Sequence, residues 1–243
     1  MSMRTAGRIE IKHAVPEAVA VQALDWSRAF LEPDRGVSGR QHVTSLYLDS
    51  PELTFYRWHR QRRAHRFKLR IRGYGDRPAD RVFAEVKQRC GDISQKVRVE
   101  LPPGALRGFL AGDFPAWREA IPDFALDEFV ARRRAYAARP TVLVSCLREA
   151  LRNSGATGEV AVTVDRRIAY QATPRPDFVA KLDNWRALML PARPGPPVAI
   201  MELKYVDAPP AWMATLLRHL APFRAPFSKY AAAVRQHTAW GHV

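Results

Sequence analysis

The sequence predicts an α+β protein in which about eight strands build a β-barrel with helices flanking it. Two observations lead there. Three stretches carry Glu-x-Lys between apolar residues: Ile9-Glu10-Ile11-Lys12, Ala84-Glu85-Val86-Lys87 and Met201-Glu202-Leu203-Lys204. Two more alternate in the same way, Phe67-Lys68-Leu69-Arg70-Ile71-Arg72 and Lys96-Val97-Arg98-Val99-Glu100. Strand side chains point to opposite faces with period two, so each segment sends its charges one way and its aliphatics the other. One such strand is an ordinary surface strand. Five predict a sheet with a charged working face, most simply the inside of a closed barrel. The plainer reading is a sheet whose charged face lies in solvent.

In chain order, strand patterns cover residues 7–13, 43–49, 65–74, 81–89, 94–101, 141–148, 159–168 and 198–206. In Val160-Ala161-Val162-Thr163-Val164-Asp165 the valines fall on one face. Helix patterns run from Pro16 to about Leu31, Asp123 to Tyr136, Pro210 to Leu220 and Ser228 to Trp240. Proline at a first-turn position suits the first of these. Arg132, Arg133 and Arg134 read as a solvated last turn favoured by the helix dipole. The Pro-rich stretch from Thr173 to Pro197 reads as a long connection over one barrel mouth.

At 243 residues, with no composition shift, the chain reads as a single domain over 1–243. Cys90 and Cys146 are too few for a disulfide framework. The start, Met1-Ser2-Met3-Arg4, has no apolar leader core, and no run is long enough for a membrane span. A soluble cytoplasmic protein is the expectation.

The net charge of +15 implies an anionic partner. On the charged strand faces Arg8, Lys12, Lys68, Arg70, Arg72, Lys87, Arg89, Lys96, Arg98 and Lys204 oppose only Glu10, Glu85, Glu100 and Glu202. Unpaired charge taken out of water costs several kcal/mol, so such an interior stays wet and receives an anion. A triphosphate or polyphosphate supplies that charge and many acceptor oxygens. Lysine usage points the same way. Of 39 Lys and Arg only seven are Lys, and six of these lie in the strand signatures or in Ser228-Lys229-Tyr230. Those places take a compact ammonium rather than a planar fork.

Phosphoryl transfer needs charge neutralisation and positioning more than covalent chemistry. Lys68, Arg70 and Arg72 form a ladder of phosphate contacts on one strand face. The glutamates either pair with neighbouring cations or hold a divalent metal together with phosphate oxygens, with Glu202 the first candidate and Glu85 the second. Ser228 caps the last helix, whose free N–H groups beside Lys229 make an anion site; plain capping needs only Ser228. No Walker loop, dinucleotide fingerprint, metal-spaced histidine set or nucleophile triad is present. No aromatics interleave with the cations, which argues against nucleic acid.

Taken in order, these segments resemble the VTC domain, the polyphosphate polymerase domain within the triphosphate tunnel metalloenzyme (CYTH-like) superfamily. The matching stretches are Arg8 to Lys12, Ser45-Leu-Tyr-Leu-Asp49, Lys68 to Arg72, Glu85-Val-Lys87, Thr163-Val-Asp165-Arg, Met201 to Tyr205 and Ser228-Lys229-Tyr230. The resemblance implies an antiparallel β-barrel tunnel with basic walls. It also implies transfer of the ATP γ-phosphate onto a polyphosphate chain with Mn²⁺ or Mg²⁺. By motif, Arg70, Arg72, Lys87, Arg148 and Lys229 would act on the reacting phosphate. Lys12, Lys96 and Ser228 would hold the chain, and Glu202 the metal; Lys68, Arg98 and Lys204 join the chain-binding candidates from the charged strand faces. Cys146 stands where the family often has Tyr, and Pro226 where a basic residue is expected, with Arg224 a stand-in. A triphosphatase of the same superfamily and a non-catalytic polyphosphate-binding module are the alternatives; Arg8, where the hydrolases begin with Glu, weakens the first. ATP and polyphosphate are the expected partners, and the oligomeric state is left open.

Overall fold

The strand segments assemble into one antiparallel sheet because each presents an aliphatic face that must be covered. The computed structural model describes residues 9–34, 39–75, 81–91, 93–102, 104–112, 124–153, 160–172 and 184–239. Its strands are β1 (Ile9–Val15), β2 (Glu32–Pro33), β3 (Arg40–Asp49), β4 (His65–Tyr74), β5 (Val82–Cys90), β6 (Ile93–Glu100), β7 (Arg139–Arg152), β8 (Ala161–Ala172), β9 (Arg186–Ala187) and β10 (Ala199–Tyr205). The helices are α1 (Glu17–Arg28), α2 (Thr54–Arg60), α3 (Leu106–Ala111), α4 (Phe124–Ala135), α5 (Ala211–His219) and α6 (Lys229–Ala239). All eight expected strands are present, and β2 and β9 are short additions on β7 and β8.

Sheet order is β1-β10-β8-β7-β3-β4-β5-β6. Among the described residues the ladder does not return from β6 to β1, so its hydrogen bonds do not close the expected barrel. The free edge of β1 meets the segment before α6 instead. Ala225 N–H donates to Lys12 C=O at 2.9 Å, and His13 bridges Arg224. An exposed strand edge is thereby covered without a further strand.

The aliphatic faces make two cores on the outer side of the sheet. Phe67, Leu69 and Ile71 of β4 pack with Ala84, Val86, Val97 and Val99 under Phe109 of α3 and Leu126 and Phe129 of α4. Met201 and Leu203 of β10 pack with Val162 and Val164 of β8 under Leu24 of α1 and Met213 of α5. A third core lies beside the cavity, where Tyr230, Ala233 and Val234 of α6 meet Tyr47, Val144 and Cys146.

Two helices escaped the sequence reading. α2 is entered through Leu53 at φ 56; the N–H of Thr54 donates to the Ser50 hydroxyl at 3.1 Å, and those of Phe55 and Tyr56 to Asp49 at 2.8 and 2.9 Å. A carboxylate on the preceding strand thus does most of the capping. α3 has only six residues and ends at Gly112 with φ 93, a left-handed position that suits glycine. The arginines closing α4 are not simply solvated, as expected. Arg133 donates to the carbonyls of Phe109 and Leu110 at the end of α3, and Arg132 to Glu128 and Gln88.

Candidate functional site

The charged faces of β1, β10 and β4–β6 enclose a cavity of about 1070 Å³ with α6 and its approach segment. Among the described residues, seventeen Lys and Arg and only three carboxylates (Glu10, Asp34 and Glu202) line it. Of thirteen proposed site residues, twelve line this one space; Glu85 does not. Arg8 lies outside the described residues, and Glu100 is exposed at the end of β6, paired with Arg81.

Strand register explains the arrangement. Lys68 pairs across to Lys87, and Lys87 to Lys96, so three ammoniums stand abreast on β4, β5 and β6. Like charges directly opposite one another destabilise a sheet. Among the described residues only Lys87 of the three reaches a carboxylate, Glu10 on β1 at 2.5 Å. Lys68 donates to the Ser228 hydroxyl at 2.7 Å. Burial, with Lys12 and Lys87 nearby, pushes Lys68 well below its ordinary range. Burial lowers Lys96 to about 8 against the opposing pull of Glu85.

The next rung is Arg70, Glu85 and Arg98. Arg70 Nε donates to Glu85 Oε2 at 2.6 Å, and Arg98 Nε stands 3.6 Å from Oε1. Burial alone would raise the Glu85 carboxyl; Arg70 and Arg72 hold it far below the usual range. Covered by these guanidiniums, the Glu85 carboxylate is fully buried and does not line the cavity. Among the described residues Arg72 donates to Ser45 alone, at 3.1 Å.

On the opposite wall Lys12 and Lys204 flank Glu202, at 3.7 and 3.2 Å. Burial would raise the Glu202 carboxyl, and Lys204, Lys12 and Lys87 instead keep it well below its normal value. Lys12 also donates to Phe227 C=O at 3.0 Å. Ser228 caps α6, accepting Ala231 N–H at 3.3 Å. Arg148 grips Asp165 through two bonds, at 2.7 and 2.8 Å, and Lys229 donates to the same carboxylate. A register shift in β7 between Ser145 and Leu147 turns this part of the strand, and Cys146 Sγ comes to 3.6 Å from Asp165 Oδ1. Burial pushes that thiol up to about 11.

Sequence reasoning missed Asp165 as a site residue, and it missed several lining cations. Arg66 was signalled, since it lies one more step of two along β4. Arg235 was signalled by helical spacing from Ser228, seven residues or two turns earlier. Arg60 and Arg62 belong to and follow the unforeseen α2. Arg224 does line the cavity, as its proposed stand-in role requires.

The cavity belongs to a curled antiparallel sheet with an under-neutralised cationic interior. A family model for the VTC domain matches residues 7–238. The chain belongs to the VTC domain family. Subunit 4 of the vacuolar transporter chaperone complex of Schizosaccharomyces pombe is 24% identical over 223 residues, covering 77% of this chain. The chain spans 30% of that relative's length. Two solved Pyrococcus horikoshii OT3 proteins show coarse likenesses. PH1819 has a TM-score of 0.47 at 12% identity, covering 94% of this chain and 99% of that one. PH1012 has 0.45 at 9%, covering 93% and 98%. Among the described residues no helix is long and apolar enough to cross a membrane.

Proposed function

We propose that this chain is a polyphosphate polymerase that transfers the γ-phosphate of ATP onto a polyphosphate held in the cavity. One observation carries the reading. Lys68, Lys87 and Lys96 stand side by side facing the cavity with a single carboxylate among them. The fold bears that repulsion, and a linear polyanion relieves it. Membership of the VTC domain family supports the same reading.

In this scheme Arg70, Arg72 and Arg98 take phosphate oxygens as planar forks, and Lys68, Lys87 and Lys96 as point charges. Lys12 and Lys204 serve the facing wall, and Ser228 offers the start of α6. Arg148 and Lys229 lie where charge accumulates on the phosphate in transfer. A chain-end phosphate oxygen is already ionised and attacks without a strong base. A closed tunnel belongs to this proposal. The Glu10–Lys87 pair, the Lys68–Ser228 bond and the pairing of Ala225 with Lys12 support it by tying β1 and the segment before α6 to β4 and β5.

The donor set suits Mn²⁺ or Mg²⁺ held mainly by substrate. Among the described residues no group of three metal-ligating side chains converges, but Glu202 and Glu10 are two of the three carboxylates that line the cavity. When bound there, such an ion would neutralise phosphate charge between Glu202 and the substrate. Glu85, ringed by arginines, does not fit as its ligand.

Purified protein given labelled ATP, Mn²⁺ and short polyphosphate primer should yield ADP and lengthening chains resolved by size. Free phosphate alone would make the protein a triphosphatase. Tight polyphosphate binding without product across several metals would make it a binding module.

A further inference from the structure

Asp165 has 1% of its surface exposed, yet three side chains from two elements donate to it. Arg148 and Cys146 come from β7, and Lys229 is the first residue of α6. Both cations line the cavity, whereas the carboxylate lies behind them. A wall meant only to attract anions would be better without it, since a negative charge there opposes the ligand. Its geometry serves another end. Two oxygens fix the plane of the Arg148 guanidinium and one of them also fixes the Lys229 ammonium, leaving further donors of both groups for the cavity. Ser228, next in the chain, is set by the same anchorage, and its hydroxyl accepts from Lys68 and from Ala231 N–H.

We propose that Asp165 is a positioning residue that aims Lys229 and Arg148 at the phosphate in transfer and pins the start of α6. The idea rests on the transfer reading above. Asp165→Glu keeps the charge and shifts the geometry by one methylene. Its kcat for chain extension should fall about 10–100-fold, while calorimetric affinity for tripolyphosphate changes less than about threefold. Asp165→Asn should also lower kcat, with tripolyphosphate bound as tightly or more tightly because the cavity gains a positive charge. In a Lys229→Met background, Asp165→Glu should cost less than it does in the wild type, since only its hold on Arg148 then remains. Wild-type kcat in Asp165→Glu, or an undiminished further loss in the Lys229→Met background, overturns the proposal. If the longer side chain prevents folding, Asp165→Asn is held to the same kcat criterion. If the wild type makes no chains, the transfer reading fails by itself. Asp165 is then judged by amide hydrogen exchange at Ala231 and Ala232 with tripolyphosphate bound. Faster exchange in Asp165→Glu supports the pinning, and unchanged exchange sinks it.

Discussion

Along β4, β5 and β6 the inward cations outnumber the carboxylates that reach them, whereas Arg148 and Lys229 share the buried Asp165. The first wall stores repulsion, and a ligand is needed to discharge it. The second is half-neutralised beforehand and held in a fixed geometry. Under the proposed transfer, gripping and aiming fall to different walls, and each should respond differently to substitution.

The largest expected effect tests whether pairing inside the gripping wall matters to the fold. Arg70→Ala leaves the buried Glu85 without its hydrogen-bonded partner and with Arg98 at 3.6 Å, and should cost about 3–5 kcal/mol in denaturant unfolding. Arg72→Ala breaks no ion pair and should cost far less, while still weakening tripolyphosphate binding. Equal costs would erase the distinction between paired and bare cations.

Removing the bare lysines should separate binding from stability. Lys68→Met with Lys96→Met should weaken tripolyphosphate about 100-fold by calorimetry, from the loss of two charge-assisted contacts. The melting temperature should hold or rise, because like charges abreast are relieved. A large loss of stability would show that these lysines support the sheet.

Glu202→Gln addresses the facing wall. Turnover at limiting Mn²⁺ should fall about tenfold or more, with ATP binding largely kept. Full activity at limiting metal would exclude Glu202 as the essential ligand.

A smaller effect follows from pH. Lys96 loses its proton near 8 when folded, against an ordinary 10.5. Between those values the unfolded chain binds more protons, so ligand-free stability should rise with pH across the window. Below 8 the cost of the buried charge is fully present. Tripolyphosphate affinity should move the opposite way, falling as pH passes 8. Melting curves and calorimetry on either side of 8 check both signs, and Lys96→Met should flatten them.

Much of the sheet was legible because period-two alternation is a local property. Lys68, Arg70 and Arg72 against Phe67, Leu69 and Ile71 needed no tertiary knowledge. Helix α2 was not legible, because Asp49 caps it from the end of a strand. Closure of the sheet depends on backbone register between the chain's distant parts, which periodicity does not encode. The pairing of cations was hidden for the same reason. Asp165 lies 17 residues from Arg148 and 64 from Lys229, and the alternation of β8 marks its face but not its partners. Glu85 and Glu202 carry the same motif, yet register gives one to guanidiniums and leaves the other facing the cavity.

The two outer cores have a consequence for how such a protein can change. Leu69, Val86 and Met201 hold β4, β5 and β10 to the helices from behind, so much of the lining is free of the main task of folding. Positions such as Lys68, Arg72 and Lys96 can be rewritten without repacking the layer beneath them. A lineage could thus shorten, lengthen or re-pattern its ladder of charges in small steps. An engineer could recast the same chamber for a different polyanion while leaving the shell untouched.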